Sequence, residues 1–213
     1  MAFPEYIREL WEPLRNEVIK VHAYWLAYKQ LYEYNKKRTE KVRAESPMFF
    51  DVVRELLIDH IQLILSRLGG PPESRGKQNA TLETLINELK NSDVNELFLS
   101  EATTSLNDFR KKCEQMRDRR NKQIAHSDYK TLLHQYAHDV EAVLKPPIQP
   151  ATRKEIEEAL ESVASFMNEV EGTLTLVTNE AGNTKYTKTD YRYPVGDKSR
   201  RFAGYPTEGR YAV

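Results

Sequence analysis

The sequence of 213 residues has a single cysteine, Cys113, and no long apolar run. One cysteine cannot form a disulfide within the chain, and it excludes a cysteine-rich metal cluster. No stretch approaches the roughly 20 apolar residues of a membrane-spanning helix, and the first residues lack the apolar core of a signal peptide. We therefore expect a cytoplasmic protein without a membrane partner.

The sequence also lacks an excess of charge of either sign. Lys plus Arg and Asp plus Glu each number 32, so binding to nucleic acid would depend on a local basic patch. Hydrophobic residues make up 39% of the chain and charged residues 30%, which is typical of a soluble globular protein. A chain of this length suits one domain with an appendage or two small domains.

Glycine is scarce, and its placement divides the chain. All eight glycines lie outside residues 1–68 and 77–171, and long stretches without glycine favour helices. Within these stretches apolar residues recur every three or four positions, as on one face of a helix. The sequence therefore predicts an all-α, up-and-down helical bundle over residues 1–171.

Two helices are predicted in the first glycine-free stretch. The first begins at about Glu12, with Pro13 in its first turn, and reaches the mid-thirties; its apolar stripe includes Leu14, Val18, Val21, Trp25, Tyr28 and Tyr32. The second has Ser46 as its N-cap and Pro47 as its first residue. Because residues 49–68 are apolar on nearly all sides, we expect this second helix to be the central one.

Further helices are predicted after a polar loop that ends near residue 80. Asp93 with Glu96, and Thr152 with Glu155, resemble capping boxes that begin helices. The expected helical ranges are 82–89, 93–125, 129–144 and 152–170.

The composition changes after Glu171. Residues 173–177 alternate weakly between apolar and polar, and 179–183 read as a turn. We therefore predict a C-terminal extension over residues 172–213, irregular or with a short β-hairpin, that ends in a flexible tail. Tyrosines and arginines alternate in this tail, which fits either base stacking on nucleic acid or docking of a partner.

One helical stripe ends in a charged residue. Its apolar members are Ala102, Leu106, Phe109, Cys113 and Met116. The next position in the same spacing is Arg120. Because an unpaired buried charge costs several kcal/mol, we expect Arg120 to face solvent, a polar seam or a subunit interface.

The segment around Arg120 resembles a known motif. Residues 117–128 read RDRRNKQIAHSD and resemble the motif of the HEPN superfamily, in which four to six residues separate an arginine from a histidine. Arg120 and His126 fit this motif, and Asn121 matches the polar residue that often follows the arginine. The order of helices, and residues 64–68 before the Gly/Pro loop, are similar to the abortive-infection (AbiU-type) branch over residues 10–167.

The resemblance implies an endoribonuclease that uses neither metal nor another cofactor. His126 would move protons near neutral pH, and Arg120 would stabilise charge on the reacting phosphate. Asn121 would orient the histidine or hold a phosphate oxygen. Independently of the resemblance, Arg117, Arg119 and Lys122 belong to a locally basic stretch of this helix, which could hold an RNA backbone or be an ordinary solvated face. The family also implies a homodimer, acting as a toxin or phage-defence effector restrained by a cognate antitoxin.

Several alternatives remain open at this stage. Arg119 also fits the motif spacing, and the bundle could be a non-catalytic interaction or nucleotide-binding module. On a straight helix Arg120 and His126 would lie about 120° apart and about 9 Å along the axis. The helix must therefore bend or end near Ile124, or a partner copy must complete the site.

The remaining histidines are expected to be structural. His134 and His138 lie one helical turn apart, a spacing that suits zinc, but no third ligand is evident, so we expect a surface or interface pair. His22 and His60 lie near apolar stripes and are expected to be core histidines.

Overall fold

A computed structural model of the protein describes residues 5–92, 94–124 and 149–180. Helices joined by short loops dominate these residues, with one small antiparallel hairpin. The helices are α1 (Glu5–Tyr32), α2 (Lys36–Glu45), α3 (Pro47–Leu68), α4 (Leu82–Lys90), α5 (Glu96–Lys112), α6 (Glu114–Arg119), a π-helical turn (Arg120–Ile124) and α7 (Arg153–Glu180), and the hairpin strands are β1 (Glu73–Ser74) and β2 (Lys77–Gln78).

The core lies between α1, α3, α4, α5 and α7. Buried side chains follow the helical spacing on each helix, as the stripe on α1 illustrates: Ile7, Trp11, Leu14, Val18, Val21 and Trp25. Tyr28 extends this stripe and stacks on Trp25 with ring centroids 5.0 Å apart. The all-α bundle predicted from the sequence is confirmed.

Helix α1 begins earlier than predicted. It starts at Glu5 rather than Glu12, and Pro13 lies inside it rather than in its first turn. Burial of Ile7 and Trp11 against the core accounts for the additional two turns, because packing of an apolar face outweighs a weak local signal.

Helix α2 was not predicted from the sequence. Its residues carry charges on all sides and no apolar stripe. Local hydrogen bonds hold its first turn, since Asn35 Oδ1 accepts from the Arg38 amide at 3.0 Å and Thr39 Oγ1 donates to the Leu31 carbonyl at 2.9 Å. Asn35 was the available signal, because asparagine favours the position before a helix.

The start of α3 is confirmed, whereas its predicted burial is wrong for its first half. Pro47 is the first residue, and the Ser46 side chain makes no capping hydrogen bond. The buried residues of α3 begin only at Ile61, while Phe49 and Leu56 in the first half are exposed. Among the described residues, no other helix covers this side of α3.

The loop after α3 is tied to α5. Arg110 donates from Nε to the Gly69 carbonyl at 2.9 Å and from Nη2 to the Gly70 carbonyl at 3.0 Å, and it pairs with Glu83 at 2.5 Å. A Cβ on Gly69 would lie 3.2 Å from the Phe109 ring, so this close approach favours glycine.

The hairpin lies in the segment predicted as a polar loop. Its two-residue turn has positive φ at both Arg75 (53°) and Gly76 (73°), as a type I′ turn requires. The β-hairpin expected after Glu171 is not found over residues 173–180, which form the end of α7 instead.

Helix α7 begins as predicted and ends later. The Thr152 amide donates to Glu155 Oε2 at 2.6 Å, and the Glu155 amide donates to Thr152 Oγ1 at 3.3 Å, which is the reciprocal capping box. The helix continues through Gly172, which costs only about 1 kcal/mol in a helix interior. It crosses the proposed boundary at residue 171; the division of the chain into two regions stays a prediction.

Other expectations fall outside the described residues. They concern Asp93 as a helix cap, the helix at 129–144, the pair His134 and His138, and the tail from residue 181. Helix α5 uses Asn95 as its cap, whose Oδ1 accepts from the Leu97 amide at 2.7 Å. No helix in the described ranges is long and apolar enough to span a membrane.

The two described histidines differ in environment. Burial, together with the charge of Lys29, lowers the pKa of His22 to about 4, against a weaker opposing hydrogen bond with the Leu160 backbone. His60 was expected in the core, but it is exposed and contacts the Tyr24 ring edge-on at 5.1 Å.

The pKa of His22 predicts a loss of stability at acid pH. The unfolded chain binds a proton on His22 near pH 6.5 and the folded chain only near 4, so the free energy of unfolding should fall by up to about 3 kcal/mol as pH drops between these values. Denaturant unfolding at pH 7 and pH 4.5 should show a smaller loss for His22→Gln than for the native protein. His60→Gln is the control, and an equal pH dependence in both variants would contradict the assignment.

Candidate functional site

Five of the predicted site residues are described, and they lie where α6 ends and the π-helical turn begins. Arg120, Asn121 and Lys122 belong to this turn, and Arg117 and Arg119 end α6. In a π-helix the backbone bond joins residues five apart instead of four, and such turns are frequent at functional sites. The angle calculated for a straight α-helix therefore does not apply beyond Arg120.

Arg119 is held by an ion pair across the bundle. Its Nη2 and Nε lie 2.8 Å and 3.3 Å from Asp59 Oδ1 on α3. The two side chains are only 13% and 26% exposed, so the pair is largely shielded from water, and loss of one partner costs more than it does in a surface pair. Asp59 balances the charge of Arg119 and fixes α6 against α3.

Arg120 has a different kind of partner. Its Nε and Nη2 donate to Asn121 Oδ1 at 3.0 Å and 2.7 Å. This amide oxygen is neutral, and Arg120 forms no ion pair with a carboxylate of the described part of the chain. Burial and the neighbouring charge of Arg117 both lower the pKa of Arg120, although a guanidinium stays protonated in proteins.

Arg117 is a second cation that pairs with no carboxylate in the part of the chain that the structure describes. Its Nη2 donates to the Arg110 carbonyl at 3.2 Å, while its buried Nε has no hydrogen-bond partner in the structure as described. Arg117 and Arg120 are three positions apart and therefore neighbours on the helix surface. The charge of Arg117 is close enough to lower the pKa of Arg120, and two such cations favour binding of an anion that would neutralise both.

Lys122 is neutralised locally. Its ammonium lies 3.3 Å from Asp118 on the preceding turn, in an exposed pair of the (i, i+4) type. Such pairs stabilise a helix weakly and open easily. Arg119 pairs with Asp59 and Lys122 pairs with Asp118. The expected contacts of Arg119 and Lys122 with RNA stay predictions.

Cys113 lies at the junction between α5 and α6. It is fully buried, and burial raises the pKa of its thiol to about 12. Since the thiolate is the reactive form, we interpret Cys113 as a residue of the core and not as a nucleophile.

His126 lies outside the described residues, as do His134 and His138. The structure thus brings together Arg117, Arg120 and Asn121, and it leaves the position of the predicted histidine as an expectation. Groups of three or more potential metal ligands do not occur in the described ranges. Asp59 was missed in the sequence because it lies 60 positions from Arg119 and no local pattern links them.

The ion pair of Asp59 predicts a measurable effect on stability. Asp59→Asn would remove the carboxylate that pairs with the shielded charge of Arg119, so the free energy of unfolding should fall by about 1–3 kcal/mol. Asp118→Asn is the matched control, because its exposed pair with Lys122 should contribute less than about 0.5 kcal/mol. Equal effects in denaturant unfolding would show that the Asp59 pair is no stronger than a surface pair.

Comparison with known proteins shows the family of the chain. A protein-family model, AbiU2 of the HEPN type, matches residues 3–189. The match includes α1 to α7, the π-helical turn and the segment with His126, and it extends beyond the 10–167 over which the resemblance was noted. No curated protein and no solved structure matches the chain. The protein therefore belongs to the HEPN AbiU2 family, an abortive-infection branch of the HEPN superfamily.

Proposed function

We propose that this protein is a metal-independent endoribonuclease, a toxin or phage-defence effector whose active site is completed in a homodimer. The observation that carries the proposal is the state of Arg120. It is a partly buried cation beside Arg117, and within the described ranges its hydrogen bonds go to the neutral oxygen of Asn121. A phosphate group of RNA would supply the missing negative charge and accept both donors of the guanidinium fork.

The reaction follows from the chemistry of these residues. A base removes the proton of a ribose 2′-hydroxyl, and the oxygen attacks the adjacent phosphorus. The bond from phosphorus to the 5′-oxygen then breaks, and that oxygen takes up a proton. The products are a 2′,3′-cyclic phosphate and a 5′-hydroxyl.

Two histidines related by a two-fold axis could divide the proton transfers. His126 of one copy would act as base and that of its partner as acid, because imidazole titrates near neutral pH. Arg120 would stabilise the charge of the five-coordinate phosphorus species. Asn121, already bonded to Arg120, would orient the guanidinium or hold a phosphate oxygen.

The geometry favours Arg120 over Arg119 as the motif arginine. Arg119 is committed to Asp59 in a shielded pair, and withdrawing it would leave a carboxylate unpaired. Arg120 can exchange its bond with the Asn121 amide for a bond with phosphate at little cost, because amide and phosphate oxygens both accept hydrogen bonds. Arg119 then serves as the support that positions its neighbour.

Substitution of Arg120 tests this assignment. Arg120→Ala should lower the rate of RNA cleavage by about 100-fold or more, as loss of one charge-stabilising donor does in other enzymes. Arg120→Lys should recover only part of the rate, because lysine keeps the charge but lacks the fork. The measurement is cleavage of a labelled RNA under single-turnover conditions.

The control for Arg120 is a charge removal elsewhere on the surface. Lys20→Ala deletes an exposed cation that pairs with Glu17 on α1 and should leave the rate unchanged. A fall of the same size in Lys20→Ala would reduce the effect to bulk charge. Full activity of Arg120→Ala would remove this residue from the mechanism.

Substitution of His126 tests the chemistry itself. His126→Ala should lower cleavage by about 100-fold or more, because it removes the group that transfers protons. Cleavage by the native protein should persist in chelator and yield ends with a cyclic phosphate. Equal activity of native protein and variant would end the enzymatic proposal, and tight RNA binding without cleavage would instead favour a non-catalytic binding module.

A further inference from the structure

The first half of α3 carries an apolar face that faces solvent. Met48, Phe49, Val52 and Leu56 are 81%, 58%, 45% and 62% exposed. Phe49, Val52 and Leu56 follow each other at steps of three and four, so they form one stripe along the helix. Val53 and Leu57, on other sides of the same helix, are less exposed.

The size of this face fits an interface between proteins. Four large side chains with such exposures leave roughly 400–600 Å² of apolar surface in water, which is at the upper limit for a patch on a monomer. A stable dimer buries about 800 Å² on each partner, including a polar rim. The apolar stripe and the charged residues around it supply about this area.

The stripe leads directly to the proposed site. Asp59 lies one turn beyond Leu56 in the same row, and it binds Arg119 at 2.8 Å. Helix α3 also contacts α6 and the π-helical turn. A molecule that covers the stripe therefore ends beside the ion pair that positions Arg120.

We propose that a second copy of the chain covers this stripe, with the two α3 helices antiparallel and the two-fold axis close to Leu56. This inference rests on the proposed function, because it identifies the surface through which two copies complete one site. An axis at Leu56 places this exposed leucine against its own copy, as happens to a residue on a two-fold axis.

The position of the axis along α3 determines how far apart the two Asp59–Arg119 pairs lie. Asp59 lies three residues from Leu56, so an axis at Leu56 places the two Asp59–Arg119 pairs about 9 Å apart along the helices. An axis at Val52 would separate them by about 21 Å. Only the first arrangement brings both arginine clusters to one scissile phosphate.

The chain re-enters the described part of the bundle on the core side of α3. At the end of residues 125–148, the Ala151 amide donates to Gln62 Oε1 at 3.0 Å. Gln62 is buried, and it lies on the core side of α3, away from Leu56. Residue 149 is likewise held at α6, where its carbonyl accepts a hydrogen bond from Gln115.

Charge placed on the stripe tests the proposal. The native protein should be a dimer by light scattering, and Leu56→Asp should halve its mass. The matched control is Leu97→Asp, which changes a leucine of similar exposure, 68%, on α5 and should remain dimeric. A monomeric native protein, or a dimeric Leu56→Asp variant, would overturn the proposal; in the second case a lower melting temperature would assign the stripe to residues 125–148 of the same chain.

A cysteine at the axis gives an independent test that does not weaken the fold. Under oxidation, Leu56→Cys should form a disulfide-linked dimer, because residues at a two-fold axis meet their own copies. Phe49→Cys, about 10 Å along the helix, should not. The native Cys113 is buried and should stay reduced; cross-linking of both variants to equal extent would indicate random collision instead of an interface.

The two proposals fail in different ways. If Leu56→Asp is monomeric while the native dimer shows no cleavage, the dimer surface is supported and the proposed ribonuclease activity is wrong. If native protein and Leu56→Asp are both dimeric and cleave RNA equally, the ribonuclease activity is supported and the proposed dimer surface is wrong. If both are right, Leu56→Asp loses dimer and cleavage together, and the cross-linked Leu56→Cys dimer keeps its activity.

Discussion

The ion pair between Arg119 and Asp59 is the interaction on which the site depends. It fixes the end of α6 against α3 at 2.8 Å, one residue before the helix widens into its π-helical turn. Because the pair is shielded from water, its geometry is better defined than that of a surface pair. Consecutive arginines thus have separate tasks: Asp59 neutralises Arg119, and Arg120 keeps its charge available.

Local imbalance of charge, rather than total charge, characterises this protein. The chain has 32 residues of each sign, and many described cations pair with a carboxylate, as Lys122 does with Asp118. Among the described residues near the π-helical turn, Arg117 and Arg120 are exceptions, and burial together with the charge of Arg117 lowers the pKa of Arg120. Proteins hold such unfavourable pairs mainly where a ligand relieves them, which is why a phosphate is the expected occupant.

Local signals predicted the fold well where they acted within a few residues. The α1 stripe, Pro47 at the start of α3 and the capping box of Thr152 with Glu155 were all confirmed. Contacts between distant residues were not predictable: Asp59 reaches Arg119 across 60 positions. The sequence pattern identified Arg120 as a charged residue in an apolar stripe. Only the fold shows that Arg119 pairs with Asp59, whereas Arg120 pairs with no carboxylate of the described residues.

Helix α3 shows why apolar residues in a sequence predict burial without saying which chain provides it. Its two halves are equally apolar, yet Ile61 and Leu65 are buried in the bundle while Phe49 and Leu56 face solvent. The first half has an apolar row on the side where the bundle places no described helix, and transfer of such a row from water is worth about 25 cal/mol per Å². Since the same row ends at Asp59, the surface that favours association and the support of Arg120 are successive turns of one rigid helix. Pairing of two chains and assembly of the site would then be a single event.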